Sequence, residues 1–231
     1  MATDGPSNAL KLEQLQRRLG YHFRDQDLLL LALSHRSVGT RNNERLEFLG
    51  DALVNFVVAE ALFDRFPEVK EGVLSRLRAT LVCRDGLAHL AHQFDIASCL
   101  LLGLGERKGG GRQRESILAD ALEAIVGAMI KDSSTTEAAT VVAQWFAPEV
   151  AVIDESAGLD AKTRLQELLQ AKGYLVPTYA LLDTCGEDHA LVFTVRCDIG
   201  EMAPATQGTG SSRRKAEQAA ATTMLEQLAR D

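Results

Sequence analysis

From about Leu10 to Pro148 the apolar residues recur at three- and four-residue intervals, and glycines punctuate the ends of the periodic stretches. That pattern predicts a succession of helices. One stretch breaks it: residues 103–114, Gly-Leu-Gly-Glu-Arg-Lys-Gly-Gly-Gly-Arg-Gln-Arg, are glycine-rich and basic and are expected to form a mobile loop rather than a helix. Residues 148–161 carry acids, proline and glycine with no strong period. They read as a linker, with Val150, Val152 and Ile153 free to dock locally. Beyond it the character changes. Thr163 to Lys172 has helical spacing ended by Gly173, Thr178 to Thr184 and Ala190 to Cys197 alternate as strands about a turn that includes residues 185–188, a third strand lies around Ala205 to Gly210, and Arg213 to Ala229 is an alanine-rich helix. The expected fold is an all-α domain at residues 10–150, a linker at 151–159, and a small α+β domain at 160–231. The second has the order α-β-β-β-α, with its helices on one face of an antiparallel sheet.

Totals narrow the class. A chain of 231 residues, 46% hydrophobic and 25% charged, can bury one large core or two modest ones as a soluble protein. Its four cysteines, Cys83, Cys99, Cys185 and Cys197, form no C-x-x-C pair, so zinc has little support and reduced thiols in the cytoplasm are expected. Met1 to Asn8 is small and polar, without the basic and apolar segments of a secretory signal, and no apolar stretch approaches the ~20 residues of a membrane span. The net charge of −7 argues against nucleic acid as a partner. Three basic clusters work the other way: Arg76, Arg78 and Arg84; Arg107, Lys108, Arg112 and Arg114; and Arg213, Arg214 and Lys215. Any one of them alone reads as solvated surface.

Candidate chemistry lies in two acidic segments. Glu44, Glu47 and Asp51 are spaced i, i+3, i+7 and share one helix face, with Leu46, Leu49, Leu53 and Phe56 expected opposite. Further along, Val54 and Val58 fall on the carboxylate face, so this helix runs into a core. Asp120 and Glu123 are i, i+3 neighbours and the only charges between Ser116 and Ile130. An unpaired buried carboxylate costs several kcal/mol (about 3 or more), so such groups are paired or bind metal. Gly127 and the surrounding alanines allow close helix packing. If the segments converge, their oxygen-only donor set suits Mg²⁺ or Mn²⁺. The other possibility is two unrelated sets of carboxylates paired with Arg or Lys. The five histidines are scattered, and neither an H-E-x-x-H zinc motif nor a G-x-S-x-G nucleophile elbow occurs.

In the C-terminal part Thr163, Gln166, Glu167 and Gln170 occupy one helix face, and the last helix opens with Ser211, Ser212, Arg213, Arg214 and Lys215. Uncharged donors beside cations at a helix N-terminus suit the phosphates and shallow minor groove of an RNA duplex. Cations there oppose the helix dipole and destabilise it unless an anion arrives.

With these segments in view, the nine residues from Asn43 to Asp51 (Asn-Glu-Arg-Leu-Glu-Phe-Leu-Gly-Asp) resemble the signature of bacterial ribonuclease III. So do Arg76-Leu-Arg-Ala-Thr-Leu-Val, the Gly-Gly-Gly-Arg stretch and Glu115-Ser-Ile-Leu-Ala-Asp-Ala-Leu-Glu-Ala. Lys162-Thr-Arg-Leu-Gln-Glu and Gly208-Thr-Gly-Ser-Ser-Arg-Arg-Lys-Ala-Glu-Gln-Ala-Ala resemble that family's double-stranded-RNA-binding domain. The resemblance implies a Mg²⁺-dependent endonuclease (Mn²⁺ substituting) that cuts double-stranded RNA, leaving 5′-phosphate and 3′-hydroxyl ends with short 3′ overhangs. Glu47, Asp120 and Glu123 would ligate the metal, Asp51 and Glu123 would be most essential to hydrolysis, and Glu44 and Glu71 would be further acids nearby. RNA would meet Thr163, Gln166, Glu167, Gln170, His189, Ser211, Ser212, Arg213, Arg214 and Lys215. The family also implies a homodimer in which each protomer cuts one strand, processing of ribosomal and messenger RNA precursors in the cytoplasm, and neither a membrane nor a small-molecule cofactor. The apolar surface around Phe48 suits either the dimer interface or core packing. One departure is Ala52, where many members have serine. An acidic linker would be repelled by phosphate, leaving the RNA-binding domain mobile before substrate arrives. A catalytically silent RNA-binding protein is the competing class, disfavoured by the intact acid set. A purely structural helical oligomer is disfavoured by the cationic helix start.

Overall fold

The computed structural model of the chain describes residues 6–186 and 191–229. The periodic first part folds into α1 (Pro6–Leu19), α2 (Gln26–Ala32), α3 (Glu44–Arg65), α4 (Glu71–Leu81), α5 (Arg84–Gln93), α6 (Leu104–Lys108), α7 (Glu115–Asp132) and α8 (Thr135–Val152). The remainder forms α9 (Ala161–Ala171), β1 (Thr178–Cys185), β2 (Val192–Asp198), β3 (Thr206–Gly210) and α10 (Arg213–Leu228). The chain divides into two units, Met1–Ala157 and Gly158–Asp231, each with its own hydrophobic core. An all-helical domain followed by an α-β-β-β-α domain is thus the fold. Among the described residues no helix is long and apolar enough to cross a membrane.

The first unit is built around α7, whose Leu118, Ala121, Leu122, Ile125, Val126 and Met129 are all fully or almost fully buried. Helix α3 crosses it at backbone distance. A Cβ added to Gly50 would lie 1.8 Å from the Glu123 carbonyl oxygen, and one added to Gly127 would lie 2.1 Å from the Leu46 carbonyl oxygen. Glycine is therefore required at both positions by close approach. At the far end of α7, Asp132 accepts the Tyr21 hydroxyl at 2.8 Å and the Arg24 and Asp25 backbone N–H groups at 2.9 and 2.8 Å, fixing the α1–α2 connection.

In the second unit the strands run antiparallel in the order β1-β2-β3, with a register irregularity between Leu181 and Asp183. Helix α10 lies so close to β3 that a Cβ on Gly208 would meet the Ala220 nitrogen at 2.1 Å, and Thr206 donates its hydroxyl to the Ala220 carbonyl at 2.8 Å. Ala190, expected to open the second strand, lies outside the described residues.

Three expectations are corrected. The glycine-rich stretch 103–114 holds a helix, α6, and a 3₁₀ turn at Gly111–Gln113. Tertiary contacts order it: Gly103 N–H donates to Ser37 Oγ at 2.9 Å, Arg114 pairs with Glu106 at 2.7 Å, and Arg112 donates to the Ala97 carbonyl. On α3, Phe56 is 58% exposed and Leu49 is only partly buried, so the buried face is carried by Leu46, Leu53, Val54, Val57 and Val58 instead. The third correction concerns the linker. Helix α8 continues through Pro148 to Val152 despite the lost hydrogen bond and ring clash of an interior proline, with Val150 of the same turn buried in the core. Ile153 is buried and Val152 exposed. Ser156 then donates both its N–H and its hydroxyl to Asp154 Oδ1, at 2.8 and 2.6 Å. Arg65 donates to the Ile153 carbonyl at 3.2 Å, and Arg76 to the Glu155 and Ala157 carbonyls at 2.9 and 3.3 Å. Because Asp160 already caps α9 through Thr163 N–H at 2.9 Å, only Gly158 and Leu159 lie between the clamped turn and the next helix.

Two measurements check this packing. Gly50→Ala should lower the stability of the first unit by about 3 kcal/mol, the cost of overpacking a backbone contact, read as a fall in the denaturation midpoint. Arg76→Ala removes two hydrogen bonds from a charged donor, a loss of about 1.5 kcal/mol or more. Limited proteolysis should then nick residues 153–159 about ten-fold faster, with cleavage elsewhere unchanged.

Candidate metal centre and nucleic-acid interface

The contact between α3 and α7 sets the acids. Glu47 projects from the first turn of α3, while Asp120 and Glu123 lie on the first half of α7. One carboxylate oxygen from each of these three, all half-buried, lies within 4.8 Å of the others. Among the described residues none of the three has a Lys or Arg partner at ion-pair distance. Pairing with Arg or Lys therefore does not explain them.

Electrostatics records the crowding. Burial pushes the Glu123 carboxyl up to about 8, helped by the charges of Asp51, Glu47 and Asp120 and by a hydrogen bond with Asp51. Burial also raises Glu47, with Asp120 and Glu44 adding to it and Arg36 opposing. Asp120 is raised by burial against the opposing charges of His35 and Arg36. Three half-buried oxygen donors that disfavour their own ionisation fit a hard divalent cation. Such an ion would neutralise the repulsion and satisfy the lone pairs.

The other expected acids stand apart from this triad. Asp51, exposed one turn beyond Glu47, acts on Glu123 through its charge and accepts Asn55 Nδ2–H at 2.8 Å. Glu44 is exposed, pairs with Arg36 at 3.9 Å and accepts from Asn42 at 3.1 Å, touching the group only through its charge on Glu47. Glu71 opens α4, where it accepts the Ser75 hydroxyl at 2.7 Å, and it does not join the group within one chain. The pattern of the sequence did not single out Gly50. A glycine inside a long apolar helix was the available signal.

In the second unit Gln166, Glu167 and Gln170 are exposed on α9. Thr163 differs: it donates its N–H and hydroxyl to Asp160 Oδ1 at 2.9 and 3.0 Å. Ser212 is the N-cap of α10, accepting Lys215 N–H at 3.3 Å, and Ser211 accepts from Lys215 Nζ at 3.2 Å. Arg213 is turned onto Glu217 at 3.0 Å, and Glu217 also holds Lys162. This carboxylate offsets the conflict between the cations and the helix dipole, so the helix start is stable without an added anion. Arg214, with Lys162, Thr163 and Gln166, lines a cleft between the starts of α9 and α10. Lys162 opens the motif that carries the resemblance but was not among the residues expected to meet RNA, and here it lines this cleft. His189 lies outside the described residues.

Comparison with known proteins bears on both units. A family profile described as Ribonuclease-III-like matches residues 25–150, and one described as Double-stranded RNA binding motif matches residues 161–228. The Ribonuclease 3 of Hahella chejuensis is 53% identical over 212 residues, covering 91% of this chain and 94% of that protein. The Ribonuclease 3 of Proteus mirabilis is 48% identical over 222 residues, covering 96% and 98%. A solved nuclease domain of ribonuclease III from Campylobacter jejuni, described for structural flexibility in a region involved in dimer formation, matches 61% of this chain and 99% of its own, with 40% identity and a TM-score of 0.59.

The raised carboxyls fix a pH dependence. Below the ordinary value of 4.5 Glu123 is protonated folded and unfolded alike, and above about 8 it is ionised in both. Between these limits the folded chain holds the extra proton, so stability in chelator should fall as pH rises from about 4.5 to about 8. Thermal denaturation across that window should show the decline, Mg²⁺ should reverse it, and Glu123→Gln should weaken it, leaving the smaller part due to Glu47 and Asp120.

Proposed function

The chain belongs to the ribonuclease III family, and from this we infer that it hydrolyses the phosphodiester bonds of double-stranded RNA as a divalent-cation-dependent endonuclease. The observation that carries the reading is the convergence of Glu47, Asp120 and Glu123, which among the described residues have no Lys or Arg at ion-pair distance. These three would hold Mg²⁺, with Mn²⁺ able to substitute. When bound, the ion activates water and stabilises the leaving oxygen of the scissile phosphate. Glu123 adjoins Asp51, whose charge adds to the burial that raises it. These two are the residues on which hydrolysis depends most, while Glu44 and Glu71 are secondary acids. An acidic site repels RNA phosphate by itself, so attachment falls to other surfaces. In the second unit these are the exposed Gln166, Glu167 and Gln170, with Thr163, His189, Ser211, Ser212, Arg213, Arg214 and Lys215.

The active form is a homodimer. Phe48, Phe56 and Phe63 are 82%, 58% and 68% exposed along one side of α3. A stripe of bare phenylalanines on a core helix is unfavourable in water and suits a partner surface. Ala52, exposed between Phe48 and Phe56, continues this stripe, so its methyl group fits an apolar interface. The relative from Campylobacter jejuni is itself described with a dimer-forming region of the nuclease domain. Two sites, each cutting one strand, leave 5′-phosphate and 3′-hydroxyl ends with short 3′ overhangs. The setting is the cytoplasm, where the four free thiols stay reduced, and the substrates are ribosomal and messenger RNA precursors. The working domains are the first unit, with residues 10–150 at its centre, for catalysis and residues 160–231 for RNA.

Incubation with a long perfect RNA duplex and with its separate strands, in Mg²⁺ and in chelator, tests the reading. Cleavage of the duplex alone, in Mg²⁺ alone, is expected. Glu123→Gln should slow it by about a thousand-fold, the equivalent of several kcal/mol of charge stabilisation, while duplex affinity stays within about two-fold. Equal cleavage of the single strands, or full activity of Glu123→Gln in Mg²⁺, would overturn it.

A further inference from the structure

Asp51 is exposed on α3, where a carboxylate has several open rotamers, yet here it is held. Asn55, one turn on, donates Nδ2–H to Asp51 Oδ1 at 2.8 Å and to the Asp51 carbonyl at 3.0 Å. The amide thereby ties the side chain to its own backbone turn. Across the helix crossing Asp51 neighbours Glu123, whose carboxyl it acts on through its charge. A cation held by Glu123 would compete for that interaction, whereas the Asn55 amide would keep its hold on Asp51.

We propose that Asn55 is a positioning residue for the hydrolytic reaction, holding the Asp51 carboxylate in the orientation in which it works beside Glu123. This rests on the function proposed above. Helix stability does not account for the pair. An i, i+4 polar hydrogen bond contributes about 0.2–0.5 kcal/mol, and asparagine in a helix interior costs up to about 0.7 kcal/mol relative to alanine. The two nearly cancel. Neighbours on either side are the apolar Val54 and Phe56, so the asparagine is a local exception in an apolar segment. Its amide is the right group for the task, because it donates to a carboxylate without adding charge to a site already crowded with acids. A lysine or arginine there would draw Asp51 into an ion pair and compete with the cation.

The test uses the full chain and three variants. Asn55→Ala and Asn55→Asp remove the donor, and Asn55→Gln keeps an amide able to reach i−4. Three quantities are read: the single-turnover cleavage rate at saturating Mg²⁺ and duplex, the thermal midpoint in chelator, and duplex affinity in chelator. Asn55→Ala should lower the rate about ten-fold or more, the usual scale for losing a partner that orients a site residue. Its midpoint should stay within about 2 °C of the wild type, and its duplex affinity should not change. Asn55→Asp should fall at least as far, and Asn55→Gln should recover part of the rate. Wild-type speed in Asn55→Ala, a rate loss matched by lost stability or affinity, or a glutamine no better than alanine would each overturn the proposal. An inactive wild type would instead sink the endonuclease reading, so the two failures are distinct.

Discussion

The backbone contact between α3 and α7 is the constraint on which the first unit depends. Gly50 lies against the Glu123 carbonyl and Gly127 against the Leu46 carbonyl, at separations that leave no room for a methyl group. Packing this close brings the side chains flanking each glycine to within a few ångströms of the other helix. Those side chains include the acids. Glu47 stands three residues before Gly50, and Glu123 supplies the very carbonyl that Gly50 touches. A site of three carboxylates on two helices would open if either glycine carried a side chain, because interhelical distance depends on what lies at the crossing.

Bringing the acids together stores unfavourable energy. Burial and mutual repulsion raise Glu47, Asp120 and Glu123 together, and the surroundings provide only the partial relief of His35 and Arg36. The dense core around α7 supports this, since most of its other side chains are apolar and buried. Stability built elsewhere in the unit holds a group that favours protonation until a cation arrives. The second unit resolves its charge conflict differently. There Glu217 holds both Arg213 and Lys162, so the cationic start of α10 is balanced internally.

The two units repeat one device at different scales. Glycine permits α3 to touch α7, and Gly208 permits α10 to touch β3. Between the units, length is regulated by side chains remote in sequence. Arg65 and Arg76 clamp the turn that follows α8, so a stretch that looks long and featureless contributes little free chain.

Read alone, the amino-acid order determined the succession of helices, the change to strands after residue 160, the placement of Glu44, Glu47 and Asp51 on one helix face and of Asp120 and Glu123 on another, and the cationic opening of the last helix. These are local properties, carried by periods of 3.6 and 2 and by capping residues. Only the tertiary structure decided that the two acidic faces meet, that Asp51 is held by Asn55, and that Glu71 lies apart from them within one chain. It decided too that Phe56 is bare rather than core, because periodicity shows that a face is apolar but not what covers it. The order in residues 103–114 and 153–157 was equally hidden. Glycine, proline and acids signal a loop by composition, while Ser37, Arg65 and Arg76, which pin these segments, come from distant helices and turns. A local pattern carries no record of which distant carbonyl a guanidinium will find.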